Sequence, residues 1–114
     1  MAIDFQDITD TLRKVTLTGR LDLPGTDEIS TKFAALSATS NRRVIVDLTG
    51  VSFLASIGIR AIITNAKALQ QRGGRMVLFV GDNAPVYKTL ETTGIDSLIP
   101  MFTELSEAEK ALNG

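Results

Sequence analysis

The chain has 114 residues, 12 basic and 13 acidic side chains, a formal net charge of −1 and 44% hydrophobic residues. That length and balance predict one domain over 1–114, with neither the basic footprint of a nucleic-acid binder nor a polybasic membrane anchor. With no cysteine and no histidine, a disulfide framework, a thiolate nucleophile, histidine metal ligation and histidine phosphotransfer are all excluded.

The start, "MAIDFQDITD", is acidic and lacks the apolar core of a leader, and no apolar run reaches bilayer length, so a cytoplasmic domain is expected. "IDFQDITD" and "LRKVTLTG" are predicted strands joined near Asp10. In the second, Val15 and Leu17 alternate with Lys14, Thr16 and Thr18, the period of a half-buried strand. "RLDLPGTDE" is predicted as a loop around Pro24 and Gly25. A helix is expected from Asp27 to Ala38, with Ile29, Phe33 and Leu36 on its apolar face. "RRVIVDL" is the next strand; its consecutive Val44, Ile45 and Val46 suit a central strand covered on both faces. The "LTGVSFLA" segment is expected as a loop, and a helix follows from Ser56 to about Gln71. Ile59, Ile62, Ala66 and Leu69 form its apolar side, and Arg60, Thr64, Lys67 and Gln71 its polar stripe. Gly73 and Gly74 end it. "RMVLFV" is a strand, and "GDNAPVYKTLETTG" a helix capped by Asp82 or Asn83, with Pro85 in its first turn and Gly94 at its close. "SLIPMF" is a short edge strand interrupted by Pro100, and "TELSEAEKALNG" a final helix capped by Thr103 or Ser106. The order β-β-α-β-α-β-α-β-α is that of an α/β fold, a mostly parallel or mixed sheet of about five strands with four helices.

Ser56 is the one small polar residue at the junction of strand and helix in "FLASIGIRAI". Functional loops gather at such strand ends. Its hydroxyl admits two readings. As an N-cap it accepts from the free N–H groups of the first turn. As a modification site it places phosphate, about −1.5 to −2 charges, against those same groups and the helix dipole. Gly58 either allows tight packing or lets another surface approach closely.

The segments "VTLTGRLDLPGTDEI", "VIVDLTGVSFLASIGIRAI" and "GGRMVLFVGDNAPVYKTLETTGIDSLIPMF" resemble STAS domains, in particular the bacterial anti-sigma factor antagonists, over nearly the whole chain. Family members read Asp-Ser-Ser/Thr-Gly-Leu-Gly at the helix start, and the first serine is the phosphoacceptor. Ser56 matches that serine, Gly58 the glycine, and Ile59 the apolar residue after it. Asp22 matches an acidic residue near the phosphorylation site. Ala55, Ile57 and Arg60 depart, standing where the family has aspartate, serine or threonine, and glycine. The resemblance implies a non-catalytic, partner-switching regulator of transcription. It implies binding to an anti-sigma factor serine kinase of the GHKL type, release by phosphorylation at Ser56, and resetting by a PPM-type phosphatase. The partner surface it implies includes Ser56, Gly58, Ile59 and Arg60, with the Asp22–Gly25 loop beside them. No cofactor, nucleic acid or membrane partner is implied. The alternative is a constitutive STAS scaffold or sensor subunit of a larger signalling assembly, not phosphorylated.

An enzymatic reading would use Asp22, Asp47 and Asp82 as an acidic magnesium site. Against it, Asp82 suits a helix cap and Asp47 a turn bonded to local backbone. "GDNAPVYK" lacks P-loop spacing. Phe5, Phe33, Phe53, Phe79 and Phe102 are expected in or at the edge of the core, Tyr87 exposed, and Arg42 and Arg43 in a solvated turn.

Overall fold

The computed structural model describes residues 2–37 and 43–113. Arg42 and the expected helix end at Ala38 lie outside the described residues. Strands β1 (Ile3–Asp7), β2 (Leu12–Leu21), β3 (Arg43–Leu54), β4 (Arg75–Phe79) and β5 (Met101–Phe102) form one sheet in sequential order. β1 pairs antiparallel with β2, and the remaining pairs are parallel. Helices α1 (Leu23–Ser37), α2 (Ser56–Gln71), α3 (Ala84–Thr93) and α4 (Leu105–Asn113) connect or follow the strands. The predicted element order and α/β class are therefore observed.

The sheet is covered on both faces. On one, Val44, Val46, Leu48, Met76 and Leu78 meet Ile29 and Phe33 of α1, Ile59, Ile62 and Leu69 of α2, and Leu90 of α3. On the other, Leu12, Ile45 and Val77 meet Ala108 and Leu112 of α4. The uninterrupted Val44–Val46 run follows directly, because alternate side chains of a central strand enter different cores. α2 ends as expected: Gly73 adopts φ 84°, and the N–H groups of Gly73 and Gly74 donate to the carbonyls of Gln70 (3.1 Å) and Leu69 (2.9 Å).

Several boundaries differ from the sequence reading. β2 and β3 run on through segments expected as loops, "RL" and "TGVSFL". α1 begins at Leu23, not Asp27, because Asp22 supplies a cap that the Pro-Gly pair concealed. Only the last two residues of "SLIPMF" are strand: Ile95–Ser97 is a 3-10 turn, and Pro100, with no N–H to give, offers its carbonyl to the Leu78 N–H at 2.9 Å. Ser106 falls inside α4 and not at its cap. Phe5 and Phe53 are each 43% exposed, with the guanidinium carbons of Arg13 and Arg20 4.7 Å from their ring centres. Tyr87, expected exposed, rests partly buried on the core.

β3 holds more residues than the stretch of β2 it faces. Thr16 opposes Asp47 while Thr18 opposes Gly50, and Gly19 opposes Val51 while Arg20 opposes Phe53. Such bulges bend a strand and leave ladder groups unpaired. Asp47 serves one: its Oδ1 accepts the Thr49 N–H at 2.9 Å and the Thr49 hydroxyl at 2.7 Å. Asn83, just before α3, serves the carbonyls. Its Nδ2 donates to Val51 at 2.8 Å and Leu48 at 3.0 Å, and lies 3.4 Å from Thr49 O.

Candidate functional site: two adjacent helix starts

β2 and β3 end level with each other, Leu21 opposite Leu54, and each passes at once into a helix. The Ala55 N–H donates to the Leu21 carbonyl at 3.1 Å and ties the junctions together. The first turns of α1 and α2 therefore open side by side at the carboxyl end of the sheet.

At the start of α1, Asp22 is the cap. Its Oδ1 accepts the Gly25 N–H at 3.0 Å, and its backbone carbonyl accepts the Thr26 N–H at 2.9 Å. Arg20 Nε donates to its Oδ2 at 3.2 Å. The Gly25 N–H foremost, and then Arg20, hold the carboxyl below the ordinary value of 3.8. Asp22 thus fills a local structural role beside Ser56. Gly25 is held by sterics: a Cβ there would fall inside the Arg20 carbonyl.

At the start of α2 the cap position belongs to Ala55, in extended conformation (φ −88°, ψ 168°), and its methyl offers no acceptor. Its carbonyl takes the Ile59 N–H at 3.1 Å, the first turn of the helix. Ser56 is the first helical residue and is exposed. Its hydroxyl makes no hydrogen bond among the described residues, so the capping reading of this serine is replaced. What remains is an accessible alcohol at the positive end of a helix with no side-chain cap.

The other expected surface residues divide. Arg60 is exposed, one turn on from Ser56. Gly58 is buried, and the close approach it permits is by the chain itself: a Cβ there would stand 2.9 Å from Leu54 Cδ1 and 3.0 Å from the Leu21 carbonyl oxygen. Ile59 is only 8% exposed. Both lie beneath the site and fix its floor.

Two apolar side chains next to these junctions in the chain, which the sequence reading did not assign to the site, are exposed. Leu23, first residue of α1, is 60% exposed, and Phe53, three residues before Ser56, carries Arg20 over its ring. Phe53 faces solvent because the second bulge puts it and Ser52 outside together, between buried Val51 and Leu54. No signal in the segment alone marked Phe53 for the surface, because the bulge arises from the pairing of β3 with β2.

The candidate metal ligands do not assemble. Asp22 is a cap, Asp47 holds Thr49 with Lys14 Nζ 4.0 Å away, and Asp82 is exposed at the turn before α3. Among the described residues no group of three or more histidine, cysteine, aspartate or glutamate side chains is placed to hold a metal. No helix of the described residues is long and apolar enough to cross a membrane.

This fold has counterparts in known proteins. The anti-sigma F factor antagonist of Paenibacillus polymyxa is 26% identical over 89 residues, 77% of this chain and 75% of that one. The crystal structure of an anti-sigma factor antagonist from Mycobacterium paratuberculosis superposes with a TM-score of 0.85 at 22% identity, covering 98% of this chain and 93% of the other. The Bacillus cell fate determinant SpoIIAA, solved in its phosphorylated form, superposes with a TM-score of 0.69 at 19% identity, covering 96% and 99%. The STAS domain family model matches residues 3–108. On that match, spanning both helix starts and every strand of the sheet, the chain belongs to the STAS domain family.

Proposed function

We propose that this chain is an anti-sigma factor antagonist: a non-catalytic partner-switching regulator that binds an anti-sigma factor serine kinase of the GHKL type and is released when Ser56 is phosphorylated. A PPM-type phosphatase resets it. The observation that carries the reading is the exposed, unbonded Ser56 hydroxyl at the start of α2. A neutral alcohol there tolerates a close protein interface. A phosphate of about −1.5 to −2 charges must be desolvated there and is repelled by like charge on a partner. The contact surface consists of Leu23, Phe53, Ser56 and Arg60, with Asp22 and Gly25 shaping its edge and Gly58 and Ile59 its floor. The names borne by the Paenibacillus and mycobacterial relatives, and the phosphorylated state of SpoIIAA, support the same reading.

The deciding experiment is a pull-down of the cognate kinase by wild type and by Ser56→Asp. The variant is expected to lose binding, and equal capture of the kinase by both proteins refutes the switch. A second reading, a constitutive scaffold or sensor subunit, is favoured by Ala55 and Ile57 standing in the motif positions that the family fills with polar residues. Phosphopeptide mapping of the protein recovered from its own cells separates the two.

A further inference from the structure

The second half of α2 borders a cleft of about 290 Å³ that the Ser56 face does not share. Its apolar surface comes from Ile63 and Ala66 of α2, Met76 at the start of β4, and Leu98 and Ile99 after the 3-10 turn. Met76 and Ile99 are buried, but Leu98 is 62% exposed. Leu98 is not a loose end: the N–H groups of Leu98 and Ile99 both donate to the Ile95 carbonyl at 2.8 Å. The backbone therefore holds an apolar wall open to water, which costs free energy unless something covers it.

The charge along the rim has one sign. Lys67 and Arg75 border the cleft, and no carboxylate does. Neither cation forms an ion pair among the described residues, and Arg75 gives only a long hydrogen bond, 3.3 Å, to the Ala111 carbonyl. The volume sits at the low end of the ~300–1,000 Å³ typical of ligand sites. A small ligand with an apolar body and one negative end matches the size, the lining and the sign. Nucleotides do not match: the one uncharged polar side chain in the lining is Gln70, with no cradle for a phosphate chain.

We infer that the cleft between α2 and the Leu98–Pro100 segment binds a medium-chain monocarboxylate, with the chain on Met76, Leu98 and Ile99 and the carboxylate at Lys67. This goes beyond the proposed switch and does not depend on it. Lys67 stands about 16 Å along α2 from Ser56, at 1.5 Å per residue.

The test is titration of the ¹⁵N-labelled full chain with octanoate, octanol and octylammonium, followed by amide shifts. Octanoate is expected to give saturable shifts at Ala66, Met76, Leu98 and Ile99, and to bind about fivefold more tightly than octanol, the upper range of an exposed ion pair. Lys67→Gln is expected to remove that preference while leaving the melting temperature unchanged, since Lys67 is exposed and unpaired. The inference is overturned if octanoate gives no saturable shifts, if octanol or octylammonium binds as tightly, or if Lys67→Gln binds octanoate as wild type does. It is also overturned if the protein alone forms a dimer that Leu98→Glu dissolves, because a second copy then covers the wall.

Discussion

Asn83→Ala tests whether the site is held in place from behind. The Asn83 amide has two N–H groups, so its short contacts, 2.8 Å to Val51 O and 3.0 Å to Leu48 O, are the bonds, and the 3.4 Å approach to Thr49 O is shared. Truncation strands two backbone carbonyls at the bulge. A lost bond costs about 1 kcal/mol net, and an acceptor left without a partner adds to that, less whatever water recovers at this half-exposed place. The sum is about 2 kcal/mol, or about 8 °C in Tm for a chain of this size. Urea denaturation followed by circular dichroism measures it, with the slope expected to stay constant because the surface exposed on unfolding is unchanged. Hydrogen exchange adds the local readout: amides from Leu48 to Leu54 should open before those of Val44 to Val46. Asn83→Asp should cost more, since it sets carboxylate oxygens against carbonyl oxygens. A loss below about 0.5 kcal/mol for Asn83→Ala, the level of an ordinary surface change, refutes the claim that this amide pins the bulge.

Gly58→Ala should destabilise by about 1 to 3 kcal/mol, the range for overpacking, because its new Cβ meets Leu54 Cδ1 at 2.9 Å and the Leu21 carbonyl oxygen at 3.0 Å; thermal melting reads it. Gly25→Ala should cost more than Gly58→Ala, since its new Cβ falls inside the rigid Arg20 backbone carbonyl and also crowds Asp22 Oδ1 at 3.1 Å, and its melt should show loss of helix from α1. Asp22 titrates below the ordinary 3.8 in the folded chain, so its contribution is complete above the unfolded value and disappears as pH falls through the folded one. Urea midpoints measured below pH 4 should therefore fall more steeply with acid in wild type than in Asp22→Asn. In protein carrying phosphate on Ser56, Arg60→Ala should raise the second phosphate pKa by about 0.3, the scale of an exposed i,i+4 pair; ³¹P NMR measures it, and no change removes Arg60 from the phosphate's surroundings.

The parts of the fold legible in the sequence are those governed by one local rule. Ile59, Ile62 and Leu69 on α2 follow helical spacing and are buried; Val44, Ile45 and Val46 form a continuous apolar run and lie in a two-faced strand. Misplaced boundaries come where two rules compete. "LPGTDE" carries loop residues, yet Asp22 accepts the Gly25 N–H and starts α1 at Leu23, where a proline early in a helix costs no hydrogen bond. "TGVSFL" lacks strict alternation, yet it is strand, because β2 pairs with it across two register shifts. A bulge is a property of two strands and leaves no mark in either one alone.

The same limit explains how the site was read. The position of Ser56 at a strand-to-helix junction was visible from the pattern, but its role as cap or free hydroxyl turned on one residue of phase. With Ala55 extended at the cap, the serine moves to the first helical position, where its hydroxyl has no amide to serve. Gly58 and Ile59 belong to the motif in sequence, but at helical spacing from an exposed Ser56 they turn inward onto Leu21 and Leu54, beneath the surface a partner would touch. Leu23 and Phe53 are exposed outside the motif, one by the early start of α1 and one by the bulge in β3. On the proposed function, partner specificity would then draw on residues that a motif match does not contain. Two chains with the same Ser-x-Gly-Ile core but different residues at these flanking positions should select different partners through the same fold.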